Sequence, residues 1–155
     1  AIGAAEAKKL NGDKRLVYTL HGDGELQEGQ IWEAAMYAAA KKIDNLISTV
    51  DVNAKQIDGS TDDVLPMGSI QAKFEAFGWH VISVAKGNDL SAVKQALTEA
   101  TAASGNGKPV CILLHTEMGN GVDFMMGTHK WHGVAPNDDQ LADALRQNPE
   151  TLGDY

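Results

Sequence analysis

Short apolar runs alternate with amphipathic stretches along the whole chain. The apolar runs are rich in Val, Ile and Leu and carry few polar residues, as strands do when a parallel sheet buries both of their faces. Four of these runs predict β-strands, at 16–20, 46–51, 79–84 and 109–114.

The stretches between the apolar runs carry apolar residues at helical spacing. In the stretch 30–42, for example, Ile31, Ala35 and Ala38 share one face of a helix. Strands and helices that alternate in this way predict a single α/β domain with a doubly wound, mostly parallel sheet flanked by helices. The predicted helices are 1–10, 30–42, 66–77, 90–103 and 138–147.

Three segments between these elements lack a periodic pattern. The segment 22–29 is rich in glycine, 53–62 contains turn residues, and 117–134 contains many Gly and Met residues. A long irregular loop inside a compact domain is usually functional or disordered. Functional residues are therefore expected in these loops.

Length, charge and cysteine content narrow the possible functions. A chain of 155 residues suits one domain with its own core. The formal net charge of −8 argues against binding to nucleic acid, and no apolar run reaches the ~18 residues of a membrane span. The single cysteine, Cys111, lies within an apolar run, so we expect a reduced core residue and a cytoplasmic protein.

Two polar residues follow the first two predicted strands. Asp23 comes just after strand 16–20, between two glycines, and Asn53 comes just after strand 46–51. Parallel strands joined by one crossover helix end at the same edge of a sheet, so the two side chains should lie close together. A carboxylate and an amide oxygen there could hold Mg²⁺ with a diphosphate. Asp-Gly is also a common turn signal, so Asp23 could instead serve a turn.

The sequence around these two residues resembles the thiamine-diphosphate (ThDP) binding motif. Gly-Asp-Gly at 22–24, extended by Glu-Leu-Gln-Glu-Gly to residue 29, precedes Asn53 at the family's spacing. The segment Gln-Ile-Asp-Gly at 56–59 is similar to the corresponding segment of transketolases in particular. The resemblance covers essentially the whole chain and implies a ThDP-binding fold. It also implies Mg²⁺, or Ca²⁺, held by Asp23, Asn53 and the main-chain carbonyl of Lys55.

The same resemblance gives roles to three further residues. Gly24, which has no Cβ, lets the main chain approach a phosphate closely. Ile57 matches the position that packs on the thiazolium ring, although it could be an ordinary core residue of a loop. Glu28 matches a glutamate at the dimer interface beside the cofactor sites, although it could be a solvated carboxylate.

Three of the five histidines lie in or beside the last loop. His132 is followed by Gly-Val-Ala-Pro, which is similar to the family's His-Gly-x-x-Pro, whose histidine reaches the cofactor diphosphate and the substrate. An imidazole there can move a proton or neutralise phosphate charge, so His132 is the expected catalytic residue. The spacings between His115, His129 and His132 fit no compact zinc pattern, and the roles of the first two stay open.

The resemblance implies a transketolase, in which a two-carbon ketol unit passes from a ketose phosphate to an aldose phosphate, as in the pentose phosphate pathway. It also implies a partner, because the carboxylate that activates the ThDP aminopyrimidine belongs to the family's carboxyl-terminal, pyrimidine-binding domain or subunit. A homodimer or heterotetramer is therefore expected. Residues 1–155 would form a single ThDP-binding domain that lacks its amino-terminal part, since the chain opens within a helix.

Three other functions compete with this interpretation. One is a related ThDP synthase that joins pyruvate to a triose phosphate, although the sequence at 56–59 favours transketolase. Another is a non-catalytic subunit of the same fold, which would have no need to keep both Asp23 and Asn53. A nucleotide-binding Rossmann domain is disfavoured because no Gly-x-Gly-x-x-Gly follows the first strand.

Overall fold

The structure, a computed structural model, describes residues 1–148 of the chain. Its α-helices are α1 (Ile2–Leu10), α2 (Gly29–Ala40), α3 (Thr61–Val64), α4 (Ile70–Phe77), α5 (Leu90–Ala103) and α6 (Asp138–Gln147), and a short 3₁₀ helix spans Glu25–Gln27. Its strands are β1 (Val17–Gly22), β2 (Leu46–Val52), β3 (Lys55–Gln56), β4 (Gly59–Ser60), β5 (His80–Val84) and β6 (Val110–His115). Within this range, no helix has both the length and the apolar content needed to cross a membrane.

Four strands form one parallel sheet in the order β1-β2-β6-β5. The last strand in sequence, β6, thus inserts between β2 and β5. The register pairs Gly22 of β1 with Asp51 of β2, and Val52 of β2 with His115 of β6. The carboxyl ends of three strands therefore meet at one edge of the sheet, where open α/β folds bind ligands.

Helices cover both faces of this sheet. On one face, Val50 and Leu113 pack with Ala35 and Ala38 of α2 and with Phe74 of α4. On the opposite face, alternate residues of the same strands, including Ile47 and Ile112, pack against Ala96 and Ala100 of α5. This arrangement confirms the predicted doubly wound, mostly parallel α/β fold, and explains why β2 and β6 are apolar on both sides.

Aromatic residues join α2 to α4 beneath the sheet. The ring of Phe74 lies between those of Trp32 and Trp79, with centroids 5.4 and 5.3 Å away. The buried indole N–H of Trp79 donates a 2.9 Å hydrogen bond to the carbonyl of Ala35. Because a buried indole N–H must find an acceptor, this bond fixes the position of α2, the helix that follows the Gly-rich loop.

The helix predicted at 66–77 begins later, at Ile70. Gly68 adopts a positive φ of 61°, which a helix does not accept, and the hydroxyl of Ser69 caps the helix by accepting a 3.1 Å bond from the N–H of Ala72. The short elements β3, β4 and α3 were not predicted. They lie between 55 and 64, where each is too short to show a period.

One edge of the sheet leaves apolar side chains exposed. β1 has a single neighbour, β2, among the described strands. On β1, Tyr18 is 54% exposed and Leu20 is 72% exposed. Parallel sheets usually have both faces covered, so this edge is less protected than the rest of the sheet.

Candidate functional site

A cleft of about 380 Å³ opens at the carboxyl ends of β1 and β2. The register places Gly22 beside Asp51, so the loops that follow the two strands leave the sheet side by side. The cleft contains the predicted Gly-Asp-Gly residues and the loop after Asn53. It is lined by Gly22, Asp23, Gly24, Glu25, Asn53, Lys55, Gln56, Ile57, Asp58 and His132.

Asp23 is a buried carboxylate with only 1% of its surface exposed. Its Oδ1 accepts a 2.8 Å bond from the N–H of Gly24, and its Oδ2 accepts a 2.6 Å bond from the N–H of Ala54. Burial raises the pKa of Asp23, the two N–H donors oppose this shift, and the nearby charge of Asp51 adds to it. Within residues 1–148 no Lys, Arg or His pairs with Asp23. A divalent cation would supply the missing positive charge.

The amide of Asn53 is fixed at both ends. Its Oδ1 accepts a 2.8 Å bond from the N–H of Lys55, and its Nδ2 donates a 3.2 Å bond to Oδ2 of Asp51. An amide oxygen has two lone pairs, so one remains for a ligand. In the described part of the chain, no group of three or more His, Cys, Asp or Glu side chains could hold a metal. The candidate donors are instead a carboxylate, an amide oxygen and a main-chain carbonyl, which are hard oxygens suited to Mg²⁺.

The turn between Asn53 and Lys55 has an unusual backbone. Ala54 adopts φ = 58°, a conformation that residues with a Cβ rarely take. In this conformation its N–H points at Asp23 and forms the 2.6 Å bond described above. The strained residue therefore ties the loop after β2 to the loop after β1, as strained backbone often does at functional sites.

Gly24 leaves room for the side chain of Gln56. The φ of Gly24 is −62°, which any residue can adopt, so its backbone does not require glycine. A Cβ at this position, however, would lie 3.2 Å from Cβ and 3.3 Å from Oε1 of Gln56. That oxygen is buried and has no hydrogen-bond partner within residues 1–148. The missing Cβ therefore lets the Gln56 side chain pack against the main chain of Gly24 in this wall of the cleft.

Two residues of the predicted site form the outer rim. Ile57 is 70% exposed, which is high for a large apolar side chain outside an interface. His132 is half-buried, and its main-chain N–H donates a 2.9 Å bond to the carbonyl of His129. The long loop thus returns to the sheet edge and brings its histidine to the same cleft as Asp23 and Asn53.

The aromatic residues of the long loop pack on one another. The rings of Phe124 and Trp131 meet edge to face, 5.2 Å between centroids, and the indole N–H of Trp131 donates a 2.9 Å bond to the carbonyl of Phe124. Both are half-buried within the chain itself, whereas Met126 remains 41% exposed.

Three residues considered from the sequence lie outside the cleft. Glu28 is exposed immediately before α2 and does not line the cleft, so its interface role remains a prediction. His129 contributes only its carbonyl to His132. His115 lies at the end of β6, where its ring is 3.2 Å from the hydroxyl of Ser83, and it lines a neighbouring hollow.

Two residues that sequence reasoning did not single out lie directly behind the cleft. Asp51 accepts hydrogen bonds from Asn53 and from the hydroxyl of Thr116, and its carbonyl accepts a 3.0 Å bond from the N–H of Asp23. One signal was available for Asp51, because residues two apart in an extended strand share a face, and Asp-Val-Asn at 51–53 has this spacing. No comparable signal indicates Thr116.

The match to a family model decides which family this is. A family model described as the thiamine diphosphate binding domain of transketolase matches residues 5–150. The chain belongs to this family. The match covers all the residues that form the cleft, and it shows a transketolase-family, amino-terminal ThDP-binding domain.

Individual relatives and solved structures agree with the family match. The chain is 42% identical to one subunit of the apulose-4-phosphate transketolase of Actinobacillus succinogenes, over 95% of this chain and 52% of that protein. It is 41% identical to the 6-deoxy-6-sulfo-D-fructose transketolase subunit SqwG of a Clostridium species, over 86% and 48%. The solved transketolase of Leishmania mexicana is 32% identical with a TM-score of 0.82, over 94% of this chain and 22% of that one. The chain thus spans about half the length of the two transketolase subunits.

Proposed function

We propose that this chain is the ThDP-binding part of a transketolase, an amino-terminal subunit or domain. With a partner, it transfers a two-carbon ketol unit from a ketose phosphate to an aldose phosphate. The observation that carries this proposal is the single cleft that Asp23, Asn53 and His132 share at the sheet edge. For the transketolase reaction, the oxygen donors of Asp23 and Asn53 would hold the metal, and the imidazole of His132 would move a proton.

In this proposal Asp23, Asn53 and the carbonyl of Lys55 hold Mg²⁺, with Ca²⁺ as a possible substitute. The burial of Asp23 without a cationic side chain supports it, because an unpaired buried charge is costly. The free lone pair of the Asn53 amide oxygen supports it as well. The diphosphate would complete the coordination, as phosphate oxygens commonly do for Mg²⁺.

The remaining lining residues bind and orient the rest of the cofactor and the substrate. ThDP, when bound, supplies the nucleophilic carbon that takes up the two-carbon unit. In this proposal the main chain at Gly24, which lines the cleft, would bind near the diphosphate, and the exposed Ile57 would offer an apolar wall to the thiazolium ring. We propose that His132 contacts the diphosphate and the substrate, where its imidazole can donate or accept a proton.

The partner in this proposal is a carboxyl-terminal, pyrimidine-binding domain or subunit, in a homodimer or heterotetramer. Two relatives that match 95% and 97% of this chain are each one subunit of an apulose-4-phosphate transketolase, which supports a split enzyme. The exposure of Ile57 on the cleft rim and of Leu20 on β1 also supports further protein around this chain. The partner would supply the carboxylate that activates the aminopyrimidine.

The single buried cysteine, Cys111, suits a reducing compartment such as the cytoplasm.

The test is an activity assay of the purified chain with and without a transketolase carboxyl-terminal half, in the presence of Mg²⁺ and ThDP. Donor substrates should include apulose 4-phosphate, 6-deoxy-6-sulfo-D-fructose and a pentulose phosphate, each with an aldose phosphate acceptor. We expect ketol transfer only when both proteins are present. Transfer by the chain alone would contradict the shared site.

Two controls make this assay specific. Asp23→Ala should abolish ketol transfer and Mg²⁺-dependent ThDP binding, whereas His129→Asn, outside the cleft, should leave both intact. Pyruvate replaces the ketose in a parallel reaction. Condensation of pyruvate with a triose phosphate, without ketol transfer, would assign the chain to the related synthases instead.

A further inference from the structure

Asp51 connects three elements behind the cleft. It is the residue of β2 that pairs with Gly22 of β1, and its carbonyl accepts the N–H of Asp23 at 3.0 Å. Its Oδ2 accepts the amide N–H of Asn53 at 3.2 Å, and its Oδ1 accepts the hydroxyl of Thr116, just after β6. One residue thus contacts two of the three proposed metal ligands, Asp23 and Asn53, and the residue that precedes the long loop.

Asp51 itself does not line the cleft, so it is placed to act through its neighbours. An ionised carboxylate accepts hydrogen bonds and cannot donate them. Its contact with Asn53 therefore selects the amide orientation in which Nδ2 faces Asp51 and Oδ1 faces the turn at Lys55. In the opposite orientation, the NH₂ group of Asn53 would point to the cation.

Thr116 holds Asp51 in the rotamer that makes this contact. Its hydroxyl donates to Oδ1 of Asp51, and its main-chain N–H donates a 3.2 Å bond to the carbonyl of Val52. Both bonds join the end of β6 to the end of β2, which are neighbours in the sheet. A carboxylate with a bond to each oxygen cannot rotate without losing one of them.

We propose that Asp51 is a positioning residue for the metal, held by Thr116, that orients the Asn53 oxygen and adds a second negative charge near the cation. This inference rests on the proposed Mg²⁺ site at Asp23 and Asn53. Groups that orient metal ligands are typically important for affinity even though they do not touch the ion. Mg²⁺ demands near-ideal octahedral geometry and Ca²⁺ tolerates distortion, so misorientation of Asn53 should affect Mg²⁺ more.

The test is calorimetric titration of Mg²⁺ and of Ca²⁺ into the metal-free complex of this chain with its partner half, with excess ThDP present in both solutions. Asp51→Asn keeps the size of the side chain but removes its charge and allows it to donate. We expect Mg²⁺ affinity to fall about tenfold or more, and Ca²⁺ affinity to fall clearly less. Equal losses for both ions, or an unchanged Mg²⁺ affinity, would overturn the proposal.

A matched pair at Thr116 tests the same proposal without altering the carboxylate. Thr116→Val keeps the shape and removes the hydroxyl, whereas Thr116→Ser keeps the hydroxyl. We expect the first to weaken Mg²⁺ at least about threefold and the second to bind nearly as the unaltered protein does. A serine variant as weak as the valine variant would refute a role for the hydroxyl bond. If Asp51→Asn does not fold, the two Thr116 variants test the positioning role of Asp51 by themselves.

The Asp23→Ala variant separates the two proposals. Loss of Mg²⁺ binding in Asp23→Ala, together with normal binding in the Asp51 and Thr116 variants, would retain the metal site and reject the positioning role. Retention of Mg²⁺ binding in Asp23→Ala would reject the metal site itself.

Discussion

Asp23, just after β1, accepts a 2.6 Å hydrogen bond from the main-chain N–H of Ala54, just after β2. The two residues are thirty-one positions apart in the sequence. This bond joins the two loops that carry the ThDP motif. It also places a buried carboxylate against the turn that carries Asn53 and Lys55, the other two proposed metal ligands.

We expect Mg²⁺ with ThDP to stabilise the chain–partner complex in a pH-dependent manner. Burial raises the folded-state pKa of Asp23 above 3.8. Without metal, its contribution to stability is therefore complete below pH 3.8 and is lost as the pH rises through the folded-state pKa. Mg²⁺ binds the ionised carboxylate of Asp23, so it compensates for this loss of stability only at pH values at which Asp23 is ionised.

Thermal unfolding at a series of pH values, from near the unperturbed 3.8 up to about pH 8, would measure this effect. The increase in Tm on addition of saturating Mg²⁺ and ThDP should be larger at the higher pH values. At a hundred times Kd the gain corresponds to about 2.7 kcal/mol. The Asp23→Ala variant should show no such increase. An increase that is independent of pH would contradict the role of the Asp23 carboxylate.

Gly24→Ala should weaken ThDP binding with little effect on folding. The new Cβ would lie 3.2 Å from Cβ of Gln56, so this side chain must shift by a few tenths of an ångström. The φ of −62° is open to alanine, so we expect a loss of stability below about 1 kcal/mol. Calorimetric titration with ThDP and urea unfolding measure the two effects. Gly3→Ala, in open space on α1, is the matched control: it should leave ThDP binding unchanged and, because alanine favours a helix, should not lower stability.

His132→Asn should lower kcat of the assembled enzyme far more than His129→Asn does. The first side chain lines the cleft, whereas the second contributes only a main-chain carbonyl, which asparagine retains. General acid–base catalysis typically contributes about 10²-fold or more, so a loss of this order is expected for His132→Asn. Steady-state kinetics with saturating ThDP would measure it. Similar losses for both variants would mean that loop structure, and not the His132 side chain, is limiting.

Trp131→Phe should loosen the long loop without removing its aromatic contact. The substitution keeps a ring against Phe124 but deletes the indole N–H that donates to the carbonyl of Phe124 at 2.9 Å. Loss of one such bond typically costs about 1 kcal/mol. Limited proteolysis should show faster cleavage between Glu117 and Val134, and urea unfolding should show the loss of stability. Unchanged cleavage would show that the bond does not hold the loop.

The sequence motif predicted many residues of the candidate site, but not all of them. Spacing between strand ends predicted that Asp23 and Asn53 lie close together, the family resemblance added Ile57, and the structure brings all three to one cleft. Their roles as ligands and cofactor contacts remain predictions. Glu28 lies outside the cleft although the motif includes it, because α2 begins at Gly29 and leaves the preceding residue exposed.

The sequence by itself determined the fold class and the pair of loops that meet at the sheet edge. Apolar runs and helical spacing are local properties, and a strand buried on both faces can be recognised from its composition. The parallel crossover then required the residues after β1 and β2 to be neighbours. Both inferences depend only on elements that are consecutive in the chain.

Only the tertiary structure decided what lies behind and above those loops. The bond from Thr116 to Asp51 joins residues sixty-five positions apart, and it exists because β6 inserts between β2 and β5. No local period encodes that strand order. The approach of His132 to the cleft likewise depends on how a loop without periodicity folds back, since Phe124 and Trp131 pack together within it. Contacts between distant segments are selected by packing of the whole domain, and a local pattern does not contain them.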